Sequence, residues 1–190
     1  VPLNHSNLLH QIKSLVCVAY PPPGSPVLSV LPIWHAYERS AEYYFFSCGC
    51  SQTYTTIKQL KNDLPRVRPI VMVTVPRLWE AVKAGFDDAI KKMPLSRKAL
   101  IKTALANSHA YTKSRRITRN LMLEPASLIR RFGAFCESTI RWPFHGFAST
   151  FIWPKVLLQL CGGRLRFPIN GGGAIAPHVD AFFEALGVEM

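Results

Sequence analysis

The chain has 190 residues, is 48% hydrophobic and 11% aromatic, and carries a formal net charge of +12. That length and apolar content support one domain with a real core and exclude a disordered chain. No run reaches the roughly 18 apolar residues of a membrane-spanning helix, and the start at Val1 carries no signal-peptide pattern.

In chain order, a helix is expected from Ser6 or Asn7, either able to cap it, with Leu8, Leu9, Ile12, Leu15, Val16 and Ala19 on one face. Pro21-Pro22-Pro23-Gly24 ends it. Val27–Leu31 reads as a short apolar strand, followed by Pro32-Ile33-Trp34-His35 and a helix over about 36–46. Ser51–Thr55 reads as a further strand, Ile57–Leu64 as a helix and Pro69–Val75 as the clearest buried strand. Pro76 suits the first position of the next helix, whose inward stripe is Trp79, Val82, Phe86 and Ile90. Short apolar strands alternating with amphipathic helices predict an α/β fold, a mostly parallel sheet covered by helices on both faces.

From Lys92 to Leu160 the signals are helical only, over 97–113, 114–123, 126–136 and 147–160, punctuated by Pro94, Pro125, Pro143 and Pro154. Residues 93–160 therefore read as a helical insertion within one domain over 1–190. The charge concentrates here: residues 91–141 hold 12 Lys/Arg against 2 Asp/Glu, whereas 1–90 hold 8 against 6 and 142–190 hold 3 against 3. Arg115, Arg116, Arg119, Arg130 and Arg131 are the candidate contacts to an acidic protein or an anionic membrane surface. The alternative is a solvated helical face. No nucleic-acid-binding motif accompanies the block, so nucleic acid is not expected as a partner. Trp142, Phe144, Phe147, Phe151 and Trp153 suit either a membrane-interface helix or packing inside the insertion, the second being the commoner use of aromatics.

The core resumes at Leu165, Phe167 and Ile169, which run into Asn170-Gly171-Gly172-Gly173-Ala174 and then a helix opening at Pro177. Val179, Phe182, Phe183 and Leu186 mark that helix, Asp180 suits its first turn and Gly187 its end, and Val188-Glu189-Met190 looks like a new strand. Glycines there leave backbone bare for a flat ligand or for positive φ, at the carboxyl end of a strand where α/β sheets bind ligands; the plain alternative is a tight turn. The five cysteines, Cys17, Cys48, Cys50, Cys136 and Cys161, fit no zinc spacing and are expected as reduced, mostly buried thiols. No metal site is expected.

Taken together, five segments resemble one family. Leu31-Pro32-Ile33-Trp34-His35-Ala36-Tyr37-Glu38-Arg39 looks like the "LPxxHxxER" signature of long-chain acyl-activating enzymes, and Val75-Pro76-Arg77-Leu78-Trp79-Glu80 resembles their "VPRLWE" segment. Gly171-Gly172-Gly173-Ala174 with Phe182-Phe183-Glu184 is similar to their adenine-binding "GGA" motif and the helix after it. Val1–Leu9 resembles the segment immediately downstream of their phosphate-binding loop, and Arg141-Trp142-Pro143-Phe144-His145 looks like the plastid and cyanobacterial acyl-acyl-carrier-protein synthetases. The resemblance is to the AMP-forming adenylate synthetases, in their branch of long-chain fatty acyl-CoA and acyl-acyl-carrier-protein synthetases.

That resemblance implies a ligase that activates a fatty acid with ATP and magnesium to an acyl-adenylate. The acyl group then passes to the thiol of coenzyme A or acyl carrier protein, the basic block tilting toward the acidic carrier. It implies nucleotide binding at Gly171, Gly172, Gly173 and Ala174, an acyl and thiol gate at His35, and acyl-tunnel positions at Trp34 and Tyr37, although core packing serves these two equally well. Without the family, His35 reads as a helix-start residue bonded to backbone. Glu38 and Arg39 read as an ion pair or cap. Ile175 stands where many members have proline. The family's phosphate loop, "YGLTE" segment, ribose-binding Asp and catalytic-lysine domain lie outside this sequence, so the segment alone is expected to be inactive, as an internal piece of the domain or a truncated gene. A plastid or cytoplasmic, membrane-associated location is implied. The rival reading is a non-catalytic basic module that binds membranes or a partner.

Overall fold

A computed structural model describes residues 2–189. They form two compact units, the first from the amino-terminal residues to Trp79 with Leu157–Ala174, the second Glu80–Val156 with Ile175–Glu189.

The first unit is built on four parallel strands, β1 (Pro26–Ser29), β2 (Ser51–Tyr54), β3 (Val71–Thr74) and β4 (Phe167–Asn170), in the order β2-β1-β3-β4. Parallel neighbours need crossovers, supplied by α2 (Ala36–Ser47) between β1 and β2 and α3 (Leu60–Val67) between β2 and β3. Residue parity decides the faces. Val27, Val71 and Val73 point to the side where Ala41, Tyr44 and Phe45 of α2 pack, while Leu28 and Met72 point to the side of Leu60 and Leu64 of α3. Both faces are covered at the two central strands, β1 and β3, whose residues are almost all buried, whereas the edge strand β2 is polar and partly exposed. The expected α/β fold, with a parallel sheet and helices on both faces, is the observed one.

Local differences have local causes. The first helix, α1 (His5–Leu15), starts earlier than expected because Asn4 caps it, in a reciprocal box with Asn7. None of its residues is fully buried. The helix expected at Ile57 begins only at Leu60 and ends where Arg68 turns left-handed at φ 51°, ahead of Pro69, which disfavours a helical residue before it. The strands are shorter than the apolar runs that announced them.

The second unit is helical. It comprises most of α4 (Pro76–Lys91), then α5 (Leu95–Thr118), α6 (Leu128–Phe147), a π-helical segment Ala148–Ile152, the start of α7 (Trp153–Cys161), and α8 (Pro177–Leu186). The two helices expected over 97–113 and 114–123 are one, α5. The helix expected over 126–136 runs on to Phe147, and Pro143 lies inside it. The wide turn at Ala148–Ile152 immediately precedes Pro154, where a regular ladder would lack a donor. Two of the four punctuating prolines are thus absorbed within helix.

Polar contacts tie α5 to α6 and to the start of α7. Ser108 takes a hydrogen bond from the Trp153 indole at 3.1 Å and lies 2.9 Å from His145 Nδ1. The His145 ring stacks on Tyr111 with centroids 4.2 Å apart. Burial, helped by Arg115, pushes the His145 pKa down. Arg116 pairs with Glu184 at 2.6 Å and Asp180 at 3.5 Å, joining α5 to α8. Val179, Phe182, Phe183 and Leu186 are buried as their spacing requires, and Gly187 ends the helix at φ 94°. Val188 and Glu189 form no strand, and Met190 lies outside the described residues.

Two expectations need correcting. Of the five aromatics between Trp142 and Trp153 only Trp153 is core; Trp142, Phe147 and Phe151 are exposed and Phe144 is half-buried. All five cysteines are free thiols but only Cys161 is buried, Cys17 and Cys136 being exposed. A scattered cysteine reports nothing about burial unless the helix face it falls on is known.

Candidate active site

The site candidates gather at the carboxyl ends of β1, β3 and β4. β3 and β4 are pinned together there. Trp79 donates its indole N–H to Thr74 Oγ1 at 2.7 Å, Thr74 donates to the Ile169 carbonyl at 3.1 Å, and the Gly171 N–H bonds the Thr74 carbonyl at 3.1 Å. Pro76 presets the first turn of α4, so Trp79 comes round one turn later to reach back to the strand end. The Val75–Glu80 segment therefore has a physical task, which is to fix the strand tip from which the glycines depart.

The glycines differ in what they require. A Cβ on Gly171 would lie 2.5 Å from the Tyr37 hydroxyl and 2.7 Å from its ring, so any side chain there must displace Tyr37. Gly172 needs its freedom for a φ of 78°. Gly173 has only an ordinary contact at 3.7 Å, to Pro76. Gly171 is half-buried under Tyr37, whereas Gly172, Gly173 and Ala174 are exposed and present bare backbone.

Tyr37 faces the other way into a groove of about 360 Å³, between α1, α2 and the β3–β4 face. Leu3, Leu8, Leu15, Ala41, Phe45, Val73 and Ile169 make its walls apolar, with Asn7, Gln11 and Ser40 as the polar exceptions. Apolar grooves of this size with a few polar groups are typical small-molecule sites. The Tyr37 hydroxyl is buried without a hydrogen-bond partner among the described residues, as are the Asn170 Oδ1, the Glu38 Oε2 and the Gln52 Oε1. Of these, the Tyr37 hydroxyl and Asn170 Oδ1 belong to residues beside the glycine turn, Tyr37 lying against Gly171 and Asn170 preceding it, whereas Gln52 is on β2 at the other side of the sheet.

The placement of the other candidates is mixed. His35 caps α2, its Nδ1 accepting the Tyr37 N–H at 3.2 Å, which leaves the proton on Nε2. It is exposed, two residues from Tyr37. Trp34 is 83% exposed and does not line the groove, so neither of its expected uses, tunnel wall or core, is seen. Arg39 pairs with Glu42 at 2.9 Å rather than with Glu38. Glu38 is instead 2% exposed, and burial pushes its carboxyl up to about 7, against a Ser29 hydrogen bond and with help from Glu42. Burial and the neighbouring Glu38 also raise the Tyr37 pKa.

Glu38 and Asn170 escaped sequence reasoning as site residues. A signal existed for Glu38: it shares the i, i+3, i+4, i+7 row with Ala41, Glu42 and Phe45, which is the inward face of α2. Among the described residues no His, Cys, Asp and Glu group could hold a metal ion. The basic candidates lie in the second unit. Arg115 stacks on Tyr111, Arg116 is neutralised by α8, Arg131 donates to the Thr118 carbonyl, and Arg119 and Arg130 are exposed.

A parallel sheet with helices on both faces, bare glycine backbone at its carboxyl edge and an apolar groove beside β3 and β4 defines an α/β fold of the class that binds ligands at strand ends. The family model described as AMP-binding enzyme matches residues 1–189, and the chain belongs to that family. It is 39% identical, over 99% of its length, to the long-chain-fatty-acid–[acyl-carrier-protein] ligase AEE15, chloroplastic, of Arabidopsis thaliana, and covers 27% of that protein. It is 37% identical over its whole length to the probable acyl-activating enzyme 16, chloroplastic, of the same plant, again covering 27%. It is 25% identical over 98% of its length to long-chain-fatty-acid–CoA ligase 1 of Schizosaccharomyces pombe, covering 25%. The chain thus spans about a quarter of the length of these relatives. No solved structure matches it.

Proposed function

We propose that this chain is part of a ligase that activates long-chain fatty acids with ATP and passes the acyl group to the thiol of coenzyme A or an acyl carrier protein. The observation that carries the reading is the Tyr37–Gly171 contact, which joins the end of an apolar groove to an exposed stretch of bare backbone. In this reading residues 1–190 are part of the AMP-binding domain, and 93–160 are a helical insertion within it.

Each part has a physical role. The groove takes the alkyl chain, because burying apolar surface is favourable at about 25 cal/mol per Å². Tyr37 closes its end and offers a hydroxyl without a partner to the carboxylate, which must be desolvated to enter. The Asn170 amide oxygen, buried without a partner, offers an acceptor to a donor of the nucleotide rather than to the carboxylate. Gly172, Gly173 and Ala174 give the purine ring a flat surface with no side chain in the way. ATP supplies the adenylyl group that turns a poor acyl donor into a reactive mixed anhydride. His35, set by its bond to the Tyr37 backbone, stands at the entrance where a thiol would arrive. Magnesium is assigned to no residue here. Two relatives carry chloroplastic in their names, which supports a plastid location.

Isothermal titration of the full-length protein with a non-hydrolysable acyl-adenylate mimic tests the reading. Binding that weakens with Tyr37→Ala and with shortening of the acyl chain supports it. No binding by a folded full-length protein contradicts it and favours the non-catalytic module.

A further inference from the structure

The turn between α2 and β2 carries two thiols that the proposed activity does not use. Cys48 caps the end of α2, Gly49 turns left-handed at φ 70°, and Cys50 leads into β2 at Ser51. The turn is pinned on both sides. The Cys50 N–H bonds the Phe45 carbonyl at 3.0 Å, and the Gly49 carbonyl accepts the Gly24 N–H at 2.8 Å. Even a fully extended chain spans only about 7 Å over two residues, and this one is folded back on its helix. The two α-carbons therefore fall within the range of roughly 4.4–6.8 Å that a disulfide bridges.

The two side chains gather at one place. Cys48 and Cys50 are half-buried and both pack on the cluster that holds Val27, Ala41, Tyr44 and Phe45. Burial, followed by Cys48, Tyr20 and Cys50, pushes the Tyr44 phenol up, so both thiols stand near one hydroxyl. That hydroxyl donates to the Ala19 carbonyl and ties the segment after α1 to α2, while Tyr44 also lines the apolar groove. Gly49, between the thiols, is exposed, which leaves the turn open to a small reagent.

We infer that Cys48 and Cys50 are a reversible dithiol–disulfide site that reacts with low-molecular-weight disulfides and, once oxidised, loosens the Tyr44–Ala19 tie beside the groove. Burial, then the neighbouring Cys48, pushes the Cys50 thiol up, so the first attack comes from Cys48 as a thiolate. The S–S bond of the small disulfide breaks, one thiol leaves with the proton that Cys48 lost, and a mixed disulfide remains on Cys48. Cys48 now carries no charge to oppose ionisation of Cys50. Cys50 loses its proton and attacks the Cys48 sulfur, and the second thiol leaves with that proton. Two protein thiols are oxidised and one disulfide is reduced to two thiols. A bridge across a single residue is a strained one, and strained disulfides are the readily reduced ones, so the site is reversible. Drawing the sulfurs together moves Cys48 away from Tyr44. The bridge itself does not depend on the ligase reading.

The test equilibrates the full-length protein over a series of ratios of glutathione disulfide to glutathione, alkylates it under denaturing conditions and cleaves it with trypsin. Cleavage after Arg39 and Lys58 gives one peptide that holds Cys48 and Cys50 and no other cysteine. That peptide should pass from doubly alkylated to unalkylated and lighter than the dithiol by a pair of hydrogens, and dithiothreitol should reverse the change. Amide exchange over residues 16–20 should rise about fivefold in the oxidised protein, the worth of one hydrogen bond, and Cys50→Ser should abolish the rise. A peptide that stays doubly alkylated at every ratio overturns the inference. So does one that stops at a single glutathione adduct, or that links to Cys17 or to a second copy of the chain. A closed bridge with unchanged exchange over 16–20 overturns the coupling to Tyr44. Failure of the ligase reading looks different: the reduced protein does not bind the acyl-adenylate mimic, and the peptide result stands.

Discussion

The carboxyl edge of the sheet and the outer face of α6 break the same rule in opposite directions. At the sheet edge polar atoms are buried without partners: the Tyr37 hydroxyl, the Glu38 and Gln52 side-chain oxygens and the Asn170 amide oxygen. On α6 large apolar side chains stand in solvent with Ala134 and Ser138 beneath them. Each departure makes sense only if something absent from the isolated fold completes it, since folds depart from local consistency chiefly where they work. The missing complement differs in kind. At the edge the unpartnered groups are polar and at the helix face they are apolar.

The sharpest break in this comparison should come at Gly171. Gly171→Ala places a methyl 2.5 Å from the Tyr37 hydroxyl and is expected to cost about 1–3 kcal/mol. The loss should show as a lower thermal midpoint and as lost acyl-adenylate formation in the full-length enzyme. Adding Tyr37→Ala should recover part of the stability and none of the activity. By contrast Phe132→Ser on α6 should leave the thermal midpoint unchanged or raise it, because that side chain is 70% exposed.

Next in size are the two indoles, one in each unit. Trp79→Phe and Trp153→Phe each remove one buried N–H donor, to Thr74 and to Ser108 respectively. Each should lower stability by about 1–2 kcal/mol in denaturant titrations. Only Trp79→Phe should also reduce activity, since Thr74 holds the strand from which the glycine turn leaves. Equal loss of activity in both would mean the two regions are not separable in function.

A pH dependence should be smaller and have opposite signs in the two units. Glu38 has its folded pKa raised from 4.5 to about 7, so between those values the folded state binds more protons than the unfolded one. Its contribution to stability is present in acid and lost as pH rises through that window, and Glu38→Gln should flatten that slope. His145 has its pKa lowered by burial, so its contribution is present above its unfolded value of 6.5 and lost as pH falls. His145→Gln should flatten the acid limb. Denaturation midpoints across pH for both variants check the pair of signs.

The smallest contrast is between neighbouring arginines. Arg116 serves α8 through Asp180 and Glu184 and is 42% exposed, so Arg116→Ala should cost at most about 1 kcal/mol. Arg119→Ala, at an exposed position with no ion pair among the described residues, should cost almost nothing in stability.

The parallel sheet was legible because Pro69–Val75 and Val27–Leu31 are apolar in both parities, which only a strand covered on both faces explains. The glycine turn was legible because three glycines beside a strand end have few uses. Tyr37 over Gly171 was not, since nothing local says which aromatic will lie across a turn 134 positions later. Glu38 was readable from its row on α2 but was assigned to Arg39 by proximity in sequence, whereas helical spacing gave Arg39 to Glu42. The helical region misled through its prolines: Pro143 sits in a helix and Pro154 comes after a π turn, so breaks expected there do not occur. The outward stripe of α6 was hidden because an apolar face reads as buried until its neighbours are known.

The most direct test of the central claim is Gly173→Trp in the full-length enzyme, assayed by fatty-acid-dependent ATP–pyrophosphate exchange. Gly173 is exposed with a nearest neighbour at 3.7 Å, so an indole there should leave folding intact while covering the backbone proposed for the purine. Exchange abolished with an unchanged thermal midpoint is the expected result. Exchange at the rate of the unsubstituted enzyme would contradict it.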